Sequence, residues 1–143
     1  MNENINRKLI ESYFATLTSG GDIGTFFSDD IVWQLPRSNP LGDRFVGRDS
    51  VLEMFGKAVG LFDPSSLSIE LQALVADSEH AVARFVLRGL TAAGAPYEND
   101  YQFFFACRDG RITAVWEMLD TLHQARTGLL TDTASAGDDQ RQL

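Results

Sequence analysis

The chain has 143 residues, within the range of one domain, with 44% apolar and 22% charged residues, both near the globular average. That balance argues against a wholly disordered chain, a collagen-like repeat or a coiled coil. Twenty acidic residues against 12 basic ones give a formal net charge of −8; with the arginines scattered, binding to nucleic acid or an anionic membrane is not expected.

The first segment, Ile5 to Leu17, carries Leu9, Ile10, Tyr13, Phe14 and Leu17 in one apolar stripe, which predicts a helix stopped by Ser19-Gly20-Gly21. Asp22 can cap a second short helix with Ile23, Phe26 and Phe27 on its apolar face. Ile31 to Leu35 is β-branched and aromatic, a strand ended by Pro36. Residues 36–47 are rich in Pro, Gly, Asn and Asp and read as a loop serving as a lid or rim. Ser50 and Glu53 have capping-box spacing and open a third helix, with Val51, Leu52, Phe55 and Val59, that ends near Gly60.

From Leu67 the hydrophobic period changes to two. Strands are predicted over 67–75, Ala81 to Leu90, Tyr97 to Arg108 and Arg111 to Asp120, with Asp109-Gly110 a strong hairpin signal between the last two. Residues 121–130 form a short helix or capping segment, and the polar stretch 131–143 reads as a disordered tail, leaving 1–130 as the single domain. Helices followed by an antiparallel meander predict an α+β fold, a curved antiparallel sheet wrapped over three N-terminal helices, with an open mouth suited to a small ligand.

Met1-Asn2-Glu3-Asn4 shows no secretory pattern, and the longest apolar run, Phe103 to Cys107, is too short to span a membrane. The lone Cys107 cannot form an internal disulfide, so a cytoplasmic setting is expected. With only His80 and His123 beside that cysteine, neither a metal nor a cofactor is expected. His80 reads as a solvated turn residue and Cys107 as a small buried hydrophobe. Ten Phe, three Tyr and two Trp need something to pack against, and a pocket for an apolar ligand is one candidate.

Three stretches carry a family resemblance: Asp29-Asp30-Ile31-Val32-Trp33-Gln34-Leu35-Pro36 with Leu41-Gly42 and Val46-Gly47-Arg48; Tyr97 to Phe105; and Arg108 to Ile112 running into Trp116 to Asp120. In this order they resemble the cone-shaped fold of nuclear transport factor 2 (NTF2-like), and more specifically the SnoaL-like group, which also resembles ketosteroid isomerases. The resemblance covers roughly residues 5 to 130 and implies a small apolar ligand, with isomerase, cyclase or hydrolase chemistry or plain binding. It implies no cofactor. The isomerases place a basic aspartate just before a proline, where this chain has Leu35 before Pro36. An epoxide-hydrolase-like Asp-Arg-Asp set would need Arg84 or Arg88 with Asp100 and Asp120.

Alternation puts Tyr97, Asn99, Tyr101, Phe103, Phe105 and Cys107 on the interior face. Asn99 there either orients a ligand or is a satisfied buried amide. In the last strand, Thr113, Val115, Glu117 and Leu119 alternate with Ile112, Ala114, Trp116 and Met118, and the resemblance turns Glu117 inward. A carboxylate in an apolar cone has a raised pKa, suited to general acid–base work near neutral pH. Otherwise Glu117 pairs with Arg84 or Arg88 or sits at the rim, or reversed parity brings Trp116 and Met118 inside. Tyr13 completes the candidate catalytic set with Glu117 and Asn99. Trp33, Leu35, Phe14, Tyr101, Phe103 and Asp120 are the candidate ligand contacts, with a helix cap as the other reading of Asp120. Apolar residues left on the outer face, Phe104, Trp116, Met118, Val82 and Val86, point to a homodimer.

Overall fold

In the computed structural model, residues 2–130 are described; the tail expected over 131–143 lies outside the described residues. The elements are α1 (Asn2–Thr18), β1 (Phe27–Gln34), β2 (Arg44–Val46), α2 (Arg48–Val59), β3 (Ser68–Ala76), β4 (His80–Leu90), β5 (Pro96–Arg108), β6 (Arg111–Leu119) and α3 (Thr121–Arg126). They form an α+β cone in which a curved, unclosed sheet of order β2-β1-β6-β5-β4-β3 faces the helices.

The sheet is mixed rather than antiparallel, because β1 pairs with β6 in parallel. The chain leaves β1, crosses through α2 and builds β3 to β5 before β6 returns beside it in the same direction. Two further differences are local. The second predicted helix is a single 3₁₀ turn, Ile23–Phe26, capped as expected by Asp22, whose carboxylate accepts from Gly24 N–H at 2.9 Å. The third helix starts at Arg48 rather than Ser50, with Gly47 at its N-cap and no side-chain cap. Gly47 has φ +97, a conformation that only glycine adopts readily, and it turns the chain from β2 into α2. β2 itself lies inside the predicted loop, paired to β1 through Trp33↔Phe45.

The β5 strand follows the alternation closely. Tyr97, Asn99, Tyr101, Phe103, Phe105 and Cys107 are buried, and Glu98, Asp100, Gln102 and Phe104 are exposed. The β5–β6 hairpin turns on Asp109 and Gly110, both at positive φ (+53 and +75), the geometry Asp-Gly favours. In β6 strict alternation fails. Cys107 pairs with Ile112 but Ala106 pairs with Ala114, so Thr113 is an extra, bulged residue whose hydroxyl donates to Ala106 O at 3.2 Å. Ile112 and Val115 are therefore both buried.

The aromatic excess converges between α1 and the sheet. Phe14 meets Phe85 at 5.2 Å, Phe85 meets Phe103 at 4.9 Å, and Tyr13 meets Phe105 at 5.9 Å, all nearly edge-to-face. α1 is tied to the turn after β3 by Asn6 Nδ2, which donates to Asp77 O at 2.9 Å. Cys107 is buried, and that burial pushes its thiol up to about 11, which leaves it unreactive. His80 opens β4 with its ring 5.3 Å from Phe104, rather than lying free in a turn. On the outer face Arg88 pairs with Glu70 (2.8 Å) and Glu98 (3.3 Å). Phe104, Trp116 and Met118 stand exposed there, whereas Val86 is already buried within its own sheet. Among the described residues no helix is long and apolar enough to cross a membrane.

Candidate functional site

The inner face of the sheet and the helices enclose a cavity of about 530 Å³. Its walls are mostly apolar: Leu52, Phe55 and Val59 of α2, Ile69 of β3, Phe85 and Leu87 of β4, and Phe103 of β5. Leu17, at the end of α1, and Leu41, in the loop before β2, close it further. That loop also contributes Asn39, consistent with a rim. Among the described residues no Lys, Arg or His lines this cavity, and Glu117 is its one ionisable carboxylate.

Glu117 reaches the cavity because β6, after the bulge at Thr113, turns Val115, Glu117 and Leu119 inward. Its partner across the β5–β6 ladder is Phe103. One carboxylate oxygen accepts a hydrogen bond from Trp33 Nε1–H at 2.9 Å. Trp33 is fully buried and does not line the cavity; it packs edge-on against Phe55 (4.9 Å) and Phe103 (5.2 Å) and holds the carboxylate from behind. Burial raises the Glu117 pKa to about 7, and the Trp33 hydrogen bond works against that rise. Glu117 makes no ion pair with Arg84, which is exposed on the outer face, or with Arg88, which is engaged by Glu70 and Glu98.

Leu35, Tyr101, Phe103 and Glu117 of the expected set line the cavity. The others take different places. Tyr13 is wholly buried in the aromatic layer behind the cavity, and its hydroxyl has no hydrogen-bond partner among the described residues. Burial, and then the charge of Glu117, push that phenol well above its ordinary value. Phe14 packs in the same layer. Asn99 is a satisfied buried amide. Its Nδ2 donates to Tyr97 Oη (3.0 Å) and Asp120 O (3.1 Å), and its Oδ1 accepts from Asp100 N–H (2.9 Å). Asp120 is the N-cap of α3, accepting from His123 N–H at 2.9 Å. The Asp-Arg-Asp set is not assembled, because Asp100 and Arg84 point outward and Asp120 caps a helix.

Residues beyond those expected complete the chamber. Gln124 of α3 and Leu129 after it line one side, so the C-terminal segment is part of the wall. Tyr97 lies just behind, its hydroxyl 2.8 Å from that of Tyr101. Only their shared interior face was visible in the strand pattern. The contribution of α3 depends on how the chain folds back after Asp120.

A profile of the SnoaL-like domain matches residues 10–115. No curated protein sequence matches the chain. Solved structures share its fold at low identity. TerC, co-crystallized with polyporic acid, is 16% identical with a TM-score of 0.75, the alignment covering 86% of this chain and 97% of TerC. An NTF2-like protein from Burkholderia xenovorans is 22% identical with a TM-score of 0.68, covering 87% of this chain and 96% of that one. A candidate SnoaL-like polyketide cyclase from Jannaschia sp. is 13% identical with a TM-score of 0.75, covering 87% and 92%.

Proposed function

Because this chain belongs to the SnoaL-like domain family, we propose that its cone receives a small, mostly apolar molecule and that Glu117 moves a proton to or from it without a cofactor. The observation that carries the reading is a carboxylate with a pKa of about 7 placed at the wall of an apolar cavity. Such a group is present in both protonation states near neutral pH, so it can act as base or acid. Trp33 fixes one oxygen, and the other accepts no hydrogen bond among the described residues. A polyketide, terpenoid or steroid-like compound fits the chemistry of the walls, and isomerisation, cyclisation and hydrolysis all use such proton transfer. The ligand that TerC was crystallized with supports the idea that folds of this kind take up small organic molecules. The lone Cys107 is in keeping with a cytoplasmic setting.

The test uses β-tetralone, an apolar ketone with acidic C–H bonds. In deuterium oxide the protein should accelerate exchange of its α-protons, with an apparent midpoint near pH 7. Glu117→Gln should slow that exchange by about 100-fold while the fold stays intact. Exchange equal in both proteins would exclude Glu117 as the proton carrier. A second reading, ligand binding without catalysis, is favoured by Leu35 at the position where the isomerases carry an aspartate. It predicts bound ketone with no exchange above buffer.

The exposed apolar outer face supports a homodimer. Phe104 and Trp116, 5.6 Å apart, and Met118 form its centre, and a second copy would cover them. Light scattering at micromolar concentration should give a dimer for the native chain and a monomer for Trp116→Asp. A native monomer would remove this assignment.

A further inference from the structure

Tyr101 and Glu117 lie on the same wall of the cavity. Across the β5–β6 ladder Tyr101 pairs with Leu119 and Phe103 with Glu117, so the two are diagonal neighbours within reach of a common ligand. Behind Tyr101 runs a short chain of hydrogen bonds with one sense. Asn99 Oδ1 is taken by Asp100 N–H, which leaves its amide nitrogen to donate to Tyr97 Oη. Tyr97 is buried and does not line the cavity, and among the described residues Tyr101 Oη, 2.8 Å away, is the one acceptor within reach of its proton, so the arrangement that satisfies both hydroxyls sends the Tyr97 proton to Tyr101. The Tyr101 hydroxyl has no other partner among the described residues, so its own proton is free for the cavity.

We propose that Tyr101 is the hydrogen-bond donor this chamber offers to the carbonyl oxygen of an uncharged ligand, with Asn99 and Tyr97 as positioning residues that fix the direction of its proton. An uncharged ligand follows from the walls. With no Lys, Arg or His among the described residues that line the cavity, none of them balances an anionic ligand, and Glu117 repels one. Phe85 stacks on Tyr101 at 5.3 Å and 9°, which fixes the ring. The inference rests on the chamber reading above, and its test separates the two.

The probes are fluorenone and fluorene, alike in shape except for the carbonyl. Binding is measured near pH 9, where Glu117 is ionised and can only accept; Tyr101 keeps its proton because burial raises its pKa. The native protein should bind fluorenone about tenfold more tightly than fluorene. The carbonyl stretch of the bound ketone should fall below its value in an apolar solvent. Tyr101→Phe should erase both the preference and the shift while leaving fluorene affinity unchanged. Tyr97→Phe should lose part of the preference and broaden the carbonyl band, a signature that simple destabilisation would not produce. A preference or shift that survives Tyr101→Phe overturns the assignment. So does fluorene binding in the native protein without preference for the ketone, and that outcome leaves the chamber reading standing. Failure of both probes to bind overturns the two together.

Discussion

Replacing Glu117 with Gln is expected to stabilise the protein by about 3 kcal/mol at pH 8 and to leave it almost unchanged near pH 4. The carboxyl has a pKa near 4.5 when unfolded and about 7 in the fold. Below 4.5 both states are protonated and the group costs nothing. Between 4.5 and 7 the folded protein holds a proton that the unfolded chain has lost, so stability falls as pH rises, and above 7 the whole penalty is present. Gln carries no charge and keeps an oxygen to accept from Trp33 Nε1–H, so it escapes that penalty without losing the hydrogen bond. Urea unfolding of both proteins at the two pH values measures the difference. A gap that does not open with pH would mean that the carboxylate is better solvated than its surroundings indicate. The substitution that should abolish proton exchange should thus also make the protein sturdier, the opposing pull expected of a group retained for its chemistry.

The second large effect concerns the residue behind the carboxylate. Trp33→Ala should cost about 3–5 kcal/mol, since the indole is fully buried between Phe27, Phe55 and Phe103. Trp33→Phe is the more informative change. It keeps an aromatic ring in the layer and removes only the N–H that holds Glu117. Because that hydrogen bond lowers the Glu117 pKa, its loss should push the carboxyl midpoint above 7. Titration of labelled Glu carboxyl carbons by NMR would detect this. A midpoint at or below the native one would contradict the role of Trp33.

Much of the fold was legible where hydrophobic period and turn chemistry agreed. Tyr97 to Cys107 alternates without interruption, and Asp109-Gly110 sets the hairpin, so the interior face of β5 and two of its cavity residues, Tyr101 and Phe103, follow from sequence. Leu35 and Glu117 were named as candidates on different grounds, one from its place on the first predicted strand and the other from resemblance. Three features were not legible, because each depends on contacts far apart in the chain. The β1–β6 pairing is parallel only because of the path taken between them. Asn99 looked like a ligand contact because a strand pattern cannot say which buried amides find partners in the main chain of another element. Tyr13 sits on the stripe that the helix pattern gave it, yet its phenol points into packed aromatics rather than into the chamber.

Thr113 decides more than its modest chemistry implies. Counting along β6 from the hairpin, an uninterrupted ladder would seat Trp116 opposite Phe103 and send Glu117 outward; the unpaired threonine shifts the phase by one, and everything after it changes sides. The chamber's acid and the outer indole are thus alternative occupants of one seat. Flattening the bulge, with Thr113 drawn into the ladder opposite Ala106 and no residue changed, would exchange a proton carrier for a hydrophobic plug and set a carboxylate in the middle of the apolar outer surface. In a strand built this way, chemistry can be gained or lost by changing where the residues are counted from rather than what they are.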